Sequence, residues 1–350
     1  MTIPKIVCMT DFFSDLKRYK KLVDDYIISR LPRSHPIPEI ENLFKMMIDY
    51  PCRPGKGLRP SILLIFCQAF GGIIDKALNT AAALELFQNW IVIHDDIEDD
   101  SELRRGLPAL HIKYGIPLAL NAGDALAGKM WEFLDKNRQI IGTETALDVI
   151  EQFLNMYNQT TAGQHIELSW VHNKRWDLNR EDYFNMCRRK TSWYTCITPA
   201  WTGALIAGAD EKFKDIIIKF GMDLGVAFQI QDDILNIVGD EEIYGKEIGG
   251  DIWEGKRTLI TIELMEKANP EHKKFLKEIL DRPRHQKKDE DIDKVMRLIN
   301  EYDCIQDAMK VSVELATKAK MNFSKLDGSI DEKQHQIILQ MIDFMINRKF

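Results

Sequence analysis

The apolar residues of this chain recur at spacings of three and four along almost its whole length, which is the pattern of amphipathic α-helices. The first such stretch covers residues 11–31, and Pro32 and Pro36 follow it. Because proline has no backbone N–H and clashes with the preceding turn, a helix ends before it. The same pattern predicts helices over 39–50, 60–70, 76–99, 117–137, 143–171, 180–207, 212–238, 257–268, 271–281, 291–302, 304–325 and 331–348.

No stretch shows the alternation of β-branched residues, bounded by hairpin turns, that would indicate a sheet. The segment Arg282–Asp291 is charged and poor in apolar residues, and we interpret it as a solvated connection rather than a domain boundary. The inner helices are apolar nearly all round, which is typical of helices buried inside a protein. The sequence therefore predicts an all-α fold in which residues 1–350 form a single domain.

The composition is that of a globular protein, because 45% of the 350 residues are apolar. The formal net charge of −7 argues against a nucleic-acid-binding surface. The six cysteines include no CxxC pair, so neither a zinc site nor a disulfide framework is indicated. No apolar run reaches about 18 residues, the length that crosses a bilayer. Since Met1–Phe12 also lacks the apolar run of a signal peptide, we expect a cytoplasmic protein without a membrane span.

Two acidic clusters, residues 95–99 and 232–236, each follow a strongly apolar helical stretch. The first cluster reads Asp-Asp-Ile-Glu-Asp and the second reads Asp-Asp-Ile-Leu-Asn. Burying a carboxylate is costly unless the group is paired or bound to a metal. Either cluster alone fits a solvated helix end, but two clusters after similar helices indicate that a cation lies between them.

The spacing within the clusters suits a magnesium ion. Asp95 and Asp99 are four residues apart, so a helix places their side chains on one face. Such hard oxygen ligands suit Mg²⁺, which keeps several waters and usually bridges a few carboxylates to substrate phosphates. The second cluster repeats this spacing with an amide in its last position. The candidate magnesium ligands are Asp95, Asp96, Asp99, Asp232, Asp233 and Asn236.

Basic residues flank both clusters in compact groups. Lys56 and Arg59 lie in a glycine-flanked turn at the start of a predicted helix, where unpaired N–H groups already attract anions. A single basic pair usually belongs to a solvated surface. Several such groups around two acidic clusters indicate a ligand with at least two diphosphate groups. The other candidate cations are Arg104, Arg105, Lys190, Lys246 and Lys256.

These motifs together resemble those of the trans-isoprenyl diphosphate synthases, the family that contains the farnesyl and geranylgeranyl diphosphate synthases. The resemblance rests on 55–60, the two acidic clusters, 104–106, Gly163-Gln164, Lys190-Thr191, 228–233 and 255–258. It implies a helical bundle around a deep central cavity, normally homodimeric, with the acidic clusters facing each other across the mouth. It also implies a Mg²⁺-dependent prenyltransferase that condenses isopentenyl diphosphate with an allylic diphosphate such as dimethylallyl, geranyl or farnesyl diphosphate.

The resemblance also implies roles for individual residues. The candidate magnesium ligands would hold the allylic diphosphate. The residues implied to act in catalysis are Asp95, Asp96, Asp99, Arg104, Lys190 and Asp232. The residues implied to contact the allylic diphosphate or its surroundings are Arg104, Lys190, Thr191, Gln229, Lys246 and Lys256. The pocket for isopentenyl diphosphate would be formed by Lys56, Arg59, Gln88 and Arg105.

Three residues depart from the family's pattern. Gly57 replaces a basic residue that is common in the first motif, which would weaken the pocket for isopentenyl diphosphate. Asn236 replaces a third aspartate, a change that is also familiar in geranylgeranyl-type enzymes. Glu167, three residues after Gln164, replaces the usual aspartate of a Gln-x-x-Asp element near the metals.

The length of the product is expected to depend on the residues that close the cavity floor. By the resemblance, Ile91 and Trp90, four and five residues before Asp95, line the growing chain. A tryptophan fills a large volume and would stop elongation there, the alternative being an ordinary core aromatic. Relatives with one aromatic here and no insertion in the first motif make short products. We therefore expect a C20 product, geranylgeranyl diphosphate, with C15 farnesyl diphosphate as the alternative.

Two other functions fit part of this pattern. A class I terpene cyclase also ionises a prenyl diphosphate with Mg²⁺, but it needs no pocket for isopentenyl diphosphate and has a different second metal motif. A catalytically silent partner subunit would have lost an acidic or arginine motif, and none is lost here. Both functions are therefore less well supported than the synthase.

Overall fold

Helices make up most of the regular structure in the computed structural model, which describes residues 10–239 and 247–347. In chain order the α-helices are α1 (Thr10–Ile28), α2 (Pro38–Cys52), α3 (Leu58–Ala69), α4 (Ile74–Glu98), α5 (Leu110–Tyr114), α6 (Ile116–Ile140), α7 (Thr143–His172), α8 (Arg180–Cys187), α9 (Thr198–Ile206), α10 (Lys214–Val238), α11 (Gly250–Glu254), α12 (Leu259–Lys267), α13 (Pro270–Leu280), α14 (Asp289–Glu301), α15 (Cys304–Phe323) and α16 (Glu332–Asn347). Short 3₁₀ turns cover Glu211–Phe213, Arg284–Gln286 and Ser324–Leu326.

The predicted all-α fold is confirmed, and most predicted helix ends lie within a few residues of the observed ones. The two short helices α5 and α11 were not predicted, because five residues are too few to show a helical period. The helix predicted over 180–207 is interrupted. Its middle, Arg188–Ile197, is a π-helix between α8 and α9, and such segments are frequent at functional sites.

The absence of strands was predicted wrongly at one place. Strands β1 (Leu103–Arg104) and β2 (Leu107–Pro108) form an antiparallel hairpin. The two residues between them, Arg105 and Gly106, have φ angles of 53° and 75°, and a type I′ turn needs positive φ at both positions. Strands of two residues cannot show alternation, so the sequence pattern carried no signal for them.

The core is built around three helices that are buried on nearly all sides. Helix α3 packs against α9, α4 packs against α6, and α10 packs against α15. Helix α3 illustrates why the pattern predicts burial, since its eight consecutive residues from Pro60 to Cys67 are all buried. The C-terminal ends of α4 and α10 carry the two acidic clusters, so core packing fixes the position of both.

Two glycines let the π-helical segment lie close to its neighbours. A Cβ atom on Gly163 of α7 would be 2.2 Å from the backbone nitrogen of Lys190. A Cβ atom on Gly225 of α10 would be 2.4 Å from the Cα of Ser192. Both separations are shorter than a carbon side chain allows, so only glycine permits this approach. The π-helical segment is therefore held tightly between α7 and α10, which places Lys190 and Thr191 beside the acidic clusters.

The connection between α13 and α14 is shorter than the predicted segment Arg282–Asp291, because α14 already begins at Asp289, and it is not wholly solvated. The side chain of Lys287 is buried and donates to the backbone oxygens of Ile252 and Trp253 at 2.8 and 2.6 Å. These carbonyls lie in the last turn of α11, where few intrahelical donors remain, and a lysine there adds a donor. Burial lowers the pKa of Lys287 to about 8. The charged composition of the segment could not reveal that one of its lysines fixes a helix next to the candidate site.

Candidate active site

A cavity of about 800 Å³ opens where α4, α7, α10 and the π-helical segment meet. Its lining combines carboxylates and cations at one end with aromatic and aliphatic side chains elsewhere. The sequence-predicted residues that line it are Lys56, Arg59, Gln88, Trp90, Ile91, Asp95, Arg104, Arg105, Lys190, Gln229, Asp232, Asp233 and Lys256. Four predicted residues do not line it, namely Asp96, Asp99, Thr191 and Asn236. Lys246 lies outside the described residues.

Asp95 is the carboxylate of the first cluster that faces the cavity most directly. Its Oδ1 accepts a hydrogen bond from Gln164 Nε2 at 3.2 Å and lies 3.6 Å from Lys190 Nζ. Its Oδ2 lies 3.6 Å from the guanidinium of Arg104. Side chains from α7, the π-helical segment and the hairpin therefore converge on one carboxylate. This arrangement fixes the Asp95 carboxylate in the lining of the cavity, where a metal ion could reach it.

Asp96 is buried below the cavity and forms a salt bridge with Arg104. Arg104 Nε donates to Asp96 Oδ1 at 2.8 Å, and Tyr50 OH donates to Oδ2 at 2.6 Å. Burial alone would lower the pKa of Arg104, but the Asp96 carboxylate raises it above its usual value. The carboxylate of Asp96 is completely buried, so in this structure it orients Arg104 rather than facing the cavity.

Asp99 is held by a lysine that comes from the far side of the site. Lys256 Nζ donates to Asp99 Oδ2 at 2.6 Å and lies 2.7 Å from Glu254 Oε2. Burial opposes the charge on Lys256, but Asp99 and Glu254 raise its pKa well above the usual value. Because Asp99 ends α4 and Lys256 follows α11, this ion pair ties the two edges of the cavity together.

Lys190 occupies the space between the clusters. Its Nζ forms a salt bridge with Glu167 of α7 as well as the longer contact with Asp95. Burial opposes its charge, whereas Glu167 and Asp95 raise its pKa above the usual value. Glu167, the residue that replaces the usual aspartate, is therefore the closest counterion of Lys190.

The described contacts of Asp233 in the second cluster are hydrogen bonds from neutral donors. Asp233 accepts from Tyr183 OH at 2.6 Å and from Gln229 Nε2 at 2.9 Å. Gln229 Oε1 in turn accepts from Thr191 Oγ1 at 2.7 Å. Burial and the nearby Asp251 carboxylate raise the pKa of Asp233 well above its usual value. Thr191, which does not line the cavity, thus acts through Gln229 on the second cluster.

Asn236 of α10 does not line the cavity, and its side chain contacts the start of α11. Its Oδ1 accepts the backbone N–H of Asp251 at 3.0 Å, and its side chain is buried. It therefore fixes α11, which carries Asp251 into the lining of the cavity. Asp232, one turn earlier on α10, lines the cavity itself.

The predicted pocket for isopentenyl diphosphate lies at the N-terminus of α3. Gly57 takes up φ of 58° just before α3, and Lys56 and Arg59 beside it line the cavity together with Arg105. Arg59 Nη2 donates to Tyr194 OH at 2.7 Å. Gln88 of α4 also faces this end, and its buried Oε1 accepts no hydrogen bond. A buried amide oxygen without a partner marks a place where a polar ligand or water is needed.

The family model for polyprenyl synthetases matches residues 41–299, which is most of the chain. The chain belongs to the polyprenyl synthetase family. It is 34% identical over 249 residues to a geranylgeranyl diphosphate synthase from Sulfolobus acidocaldarius, covering 71% of this chain and 74% of that protein. It is 29% identical to a geranylfarnesyl diphosphate synthase from Aeropyrum pernix, covering 84% of this chain and 90% of the relative.

A solved structure of geranylgeranyl pyrophosphate synthetase from Pyrococcus horikoshii has the same fold, with a TM-score of 0.84 and 28% identity. The similarity covers 97% of this chain and 99% of the other. These comparisons confirm the predicted family and the predicted class of enzyme, a prenyltransferase. Enzymes of this family generally depend on a divalent metal and use isopentenyl and allylic diphosphates.

The polyprenyl synthetase family's metal dependence fits the way the carboxylates are spread around this cavity. Within residues 10–239 and 247–347, no three acidic, histidine or cysteine side chains converge closely enough to form a metal site by themselves. Mg²⁺ usually takes only one or two carboxylates and completes its shell with water and substrate phosphates. The oxygen ligands present suit such a shared site.

Among the described helices, none combines the length and apolarity needed to cross a membrane.

The wall beyond Asp95 is aromatic. The ring of Trp90 stacks on that of Tyr157 of α7, with centroids 5.3 Å apart and an interplanar angle of 20°. Phe87 meets the same indole edge-on at 5.6 Å. Trp90, Ile91 and Tyr157 all line the cavity, so α4 and α7 close this side together.

Several residues that line the cavity were not predicted as site residues, among them Glu85, Tyr157 and Asp251. Glu85 is three residues before Gln88 on α4, and its burial raises its pKa although Arg105 and Arg59 lower it. A lone acidic residue inside an apolar helix was the signal for Glu85. Nothing in the sequence pattern pointed to Tyr157, because a tyrosine on a helix is most often part of the core.

Proposed function

We propose that the protein is a Mg²⁺-dependent prenyl diphosphate synthase that condenses isopentenyl diphosphate with an allylic diphosphate. One observation carries this proposal: a single cavity is lined by carboxylates of both acidic clusters and by a separate group of cations around Lys56, Arg59 and Arg105. The carboxylates suit a metal-bound diphosphate, and the cations suit a second diphosphate bound directly. Membership of the polyprenyl synthetase family supports the same reaction.

The magnesium ions would be held by Asp95, Asp99 and Asp232, with Asp233 supporting the second cluster. When bound, they would stabilise the negative charge that develops on the leaving diphosphate. Lys190 and Lys256, both kept protonated by neighbouring carboxylates, add positive charge at the same place.

The reaction begins when the allylic C–O bond breaks and its electron pair leaves with the diphosphate. The double bond of isopentenyl diphosphate then supplies the electron pair of the new carbon–carbon bond. A proton is lost from the carbon next to the resulting cation, and an oxygen of the departed diphosphate accepts it. Arg104, fixed by Asp96, is placed to hold that diphosphate near the cation.

A direct assay tests this reaction. The purified protein is incubated with Mg²⁺, radiolabelled isopentenyl diphosphate and, in turn, dimethylallyl, geranyl or farnesyl diphosphate. We expect label to enter a longer, extractable prenyl diphosphate with at least one primer, and EDTA to stop the reaction. Release of a hydrocarbon without label would instead support a terpene cyclase. Absence of incorporation with every primer would support a silent partner subunit and overturn the proposal.

The proposed product is the C20 compound geranylgeranyl diphosphate, with C15 as the nearest alternative. The stacked rings of Trp90 and Tyr157 support a short product, because they fill the wall where the growing chain would extend. The name of the Aeropyrum relative adds C25 as a longer alternative. Product analysis of Trp90→Ala and Tyr157→Ala tests this. We expect longer products from both, with Trp90→Phe as the conservative control, and unchanged lengths in both would exclude this wall as the limit.

We further propose that the protein is a cytoplasmic homodimer in which the whole chain forms one catalytic domain. Apolar side chains on three consecutive helices support an interface: Ile112, Ile116, Leu118, Leu147 and Leu154 are exposed on α5, α6 and α7. Light scattering should give twice the mass of the 40.6 kDa chain, and a monomer would contradict this part of the proposal.

A further inference from the structure

Arg53 follows α2 and is the most completely enclosed cation near the turn that carries Lys56 and Arg59. Only 3% of its side chain is exposed. Burying a guanidinium is costly unless its N–H groups are paired. Arg53 belongs to none of the motifs discussed above and does not line the cavity. Its burial therefore needs an explanation other than contact with a substrate.

The guanidinium of Arg53 binds both strands of the β1–β2 hairpin. Its Nη1 donates to the backbone oxygens of Arg104 at 2.8 Å and Leu107 at 3.3 Å. Its Nη2 donates to the backbone oxygen of Pro108 at 2.8 Å, and its Nε donates to Asp49 Oδ1 at 2.7 Å. One side chain just after α2 thus fastens the last residue of β1 and both residues of β2.

The hairpin needs such an external contact. Each strand has only two residues, and a two-stranded hairpin is marginal by itself. Its turn also places Arg105, which is not a glycine, at a φ of 53°. A side chain in this region is strained and persists only where the surroundings hold it. The hydrogen bonds from Arg53 hold both strands of this hairpin.

The hairpin carries two arginines, one beside the first acidic cluster and one beside the predicted pocket for isopentenyl diphosphate. Arg104 binds Asp96 and approaches Asp95, whereas the side chain of Arg105 lines the predicted pocket for isopentenyl diphosphate. Arg105 Nη1 also donates to the backbone oxygen of Tyr50 at 2.8 Å, which sets its guanidinium beside the turn after α2. A shift of the hairpin would therefore displace a cation from both diphosphate pockets.

We propose that Arg53 is a positioning residue that holds Arg104 and Arg105 in register with Lys56 and Arg59. This inference rests on the proposed function, because it assigns the effect to the binding of two diphosphates. Lysine cannot replace Arg53, since an ammonium is a point charge and lacks the planar fork that reaches three carbonyls at once. Removing Arg53 leaves the buried carbonyl of Arg104 without this donor and breaks the bonds to Leu107 and Pro108, which loosens the hairpin.

The test compares Arg53→Lys and Arg53→Ala with wild type in the labelling assay, at a temperature where circular dichroism shows each variant to be folded. We expect the KM for isopentenyl diphosphate to rise about tenfold or more in both, from lost buried hydrogen bonds. The value of kcat should fall as Arg104 is displaced. Added guanidinium ion should partly restore Arg53→Ala and should not affect wild type. Arg33→Lys, an exposed arginine that donates to Ile28, is the matched control and should behave as wild type.

A milder variant covers the case in which Arg53 variants fail to fold. Asp49→Asn keeps the arginine but removes its carboxylate partner, and we expect the same direction of change in KM with a smaller size. The inference would be overturned if folded Arg53 variants kept the wild-type KM and kcat. If no Arg53 variant folds, wild-type values in Asp49→Asn would overturn it. Loss of incorporation in wild type itself would instead count against the proposed function.

Discussion

The two acidic clusters are alike in sequence and different in structure. In the first cluster every aspartate has a cationic neighbour: Arg104 and Lys190 near Asp95, Arg104 on Asp96, and Lys256 on Asp99. In the second cluster the two side chains with described contacts, Asp233 and Asn236, are bound by neutral donors. The first cluster thus lies in a network of ion pairs, whereas the described contacts of Asp233 and Asn236 are hydrogen bonds with neutral groups.

This difference indicates a division of labour within the cavity. Burial raises the pKa of Asp99 in the first cluster, where Lys256 opposes the shift, and it also raises the pKa of Asp233 in the second cluster. The described contacts of Asp233 include no such cation, so an arriving metal ion would be the main positive charge beside it. We infer that cations already hold the first cluster in place, whereas Asp233 becomes charged when metal and diphosphate enter. Four predictions follow from comparing the two clusters.

The largest effect is expected for the carboxylates that face the cavity in each cluster. Asp95→Asn and Asp232→Asn should each lower kcat/KM by about 10²–10³-fold, because each removes charge that would hold the metal against the leaving diphosphate. Steady-state kinetics at saturating Mg²⁺ would measure this. Equal losses would indicate that the clusters act together, whereas a loss in only one would assign the metal to that cluster alone.

A large difference in stability is expected between the second residues of the clusters. Asp96→Asn leaves Arg104 buried without its counterion and should lower the free energy of unfolding by about 3–5 kcal/mol. Asp233→Asn keeps a similar shape and has no cation to strand, so its cost should be about 1 kcal/mol or less. Urea denaturation of the metal-free proteins measures both values. Similar costs for the two variants would refute the proposed contrast.

The pH dependence of the free energy of unfolding should report the protonation of Asp233 in the second cluster. The raised pKa of Asp233 means that the folded protein binds a proton there which the unfolded chain has already lost. The stability that this proton provides is fully present below the unfolded pKa of about 3.9 and is lost as pH rises through the folded pKa. Metal-free wild type should therefore lose stability relative to Asp233→Asn as pH rises from that value. A difference that does not change with pH would show that Asp233 is already ionised.

The smallest effect is expected at Asn236. Asn236→Ala removes the acceptor of the Asp251 N–H and should cost about 1 kcal/mol, the usual value for a lost cap. Its kcat should fall severalfold at most, because α11 is loosened while the cavity carboxylates stay. Asn236→Asp, which keeps the acceptor, is the control and should retain activity. A loss in Asn236→Ala as large as that in Asp95→Asn would make Asn236 a metal ligand rather than a support for α11.

The fold was predictable because helical periodicity and proline breaks act over long stretches. The long helices α4, α6, α7 and α10 were all anticipated from these patterns. The β1–β2 hairpin and α11 were not, since elements of two and five residues are too short to show a period. Arg53 contacts the hairpin and Lys287 contacts α11 from distant parts of the chain. The π-helix was missed because it differs from an α-helix in its hydrogen bonds, from i to i+5, which the spacing of apolar residues over ten positions does not reveal.

The site was predictable as a set of residue types but not as a network. Motif spacing placed Asp95, Lys190 and Lys256 around one cavity. It could not show that Asp96 points into the protein, because adjacent residues of a helix face different directions and the partner, Tyr50, is distant in sequence. For the same reason the stack of Trp90 on Tyr157 required the packing of α4 against α7.

The central claim is that both acidic clusters hold one metal-bound diphosphate between them. A crystal structure with Mn²⁺ in place of Mg²⁺ and a non-ionising thio-analogue of an allylic diphosphate tests it most directly, since anomalous scattering locates the manganese. We predict manganese between the diphosphate and the carboxylates of Asp95 and Asp99 on one side, and of Asp232 on the other. Manganese at neither cluster, or a diphosphate bound away from both, would contradict the account.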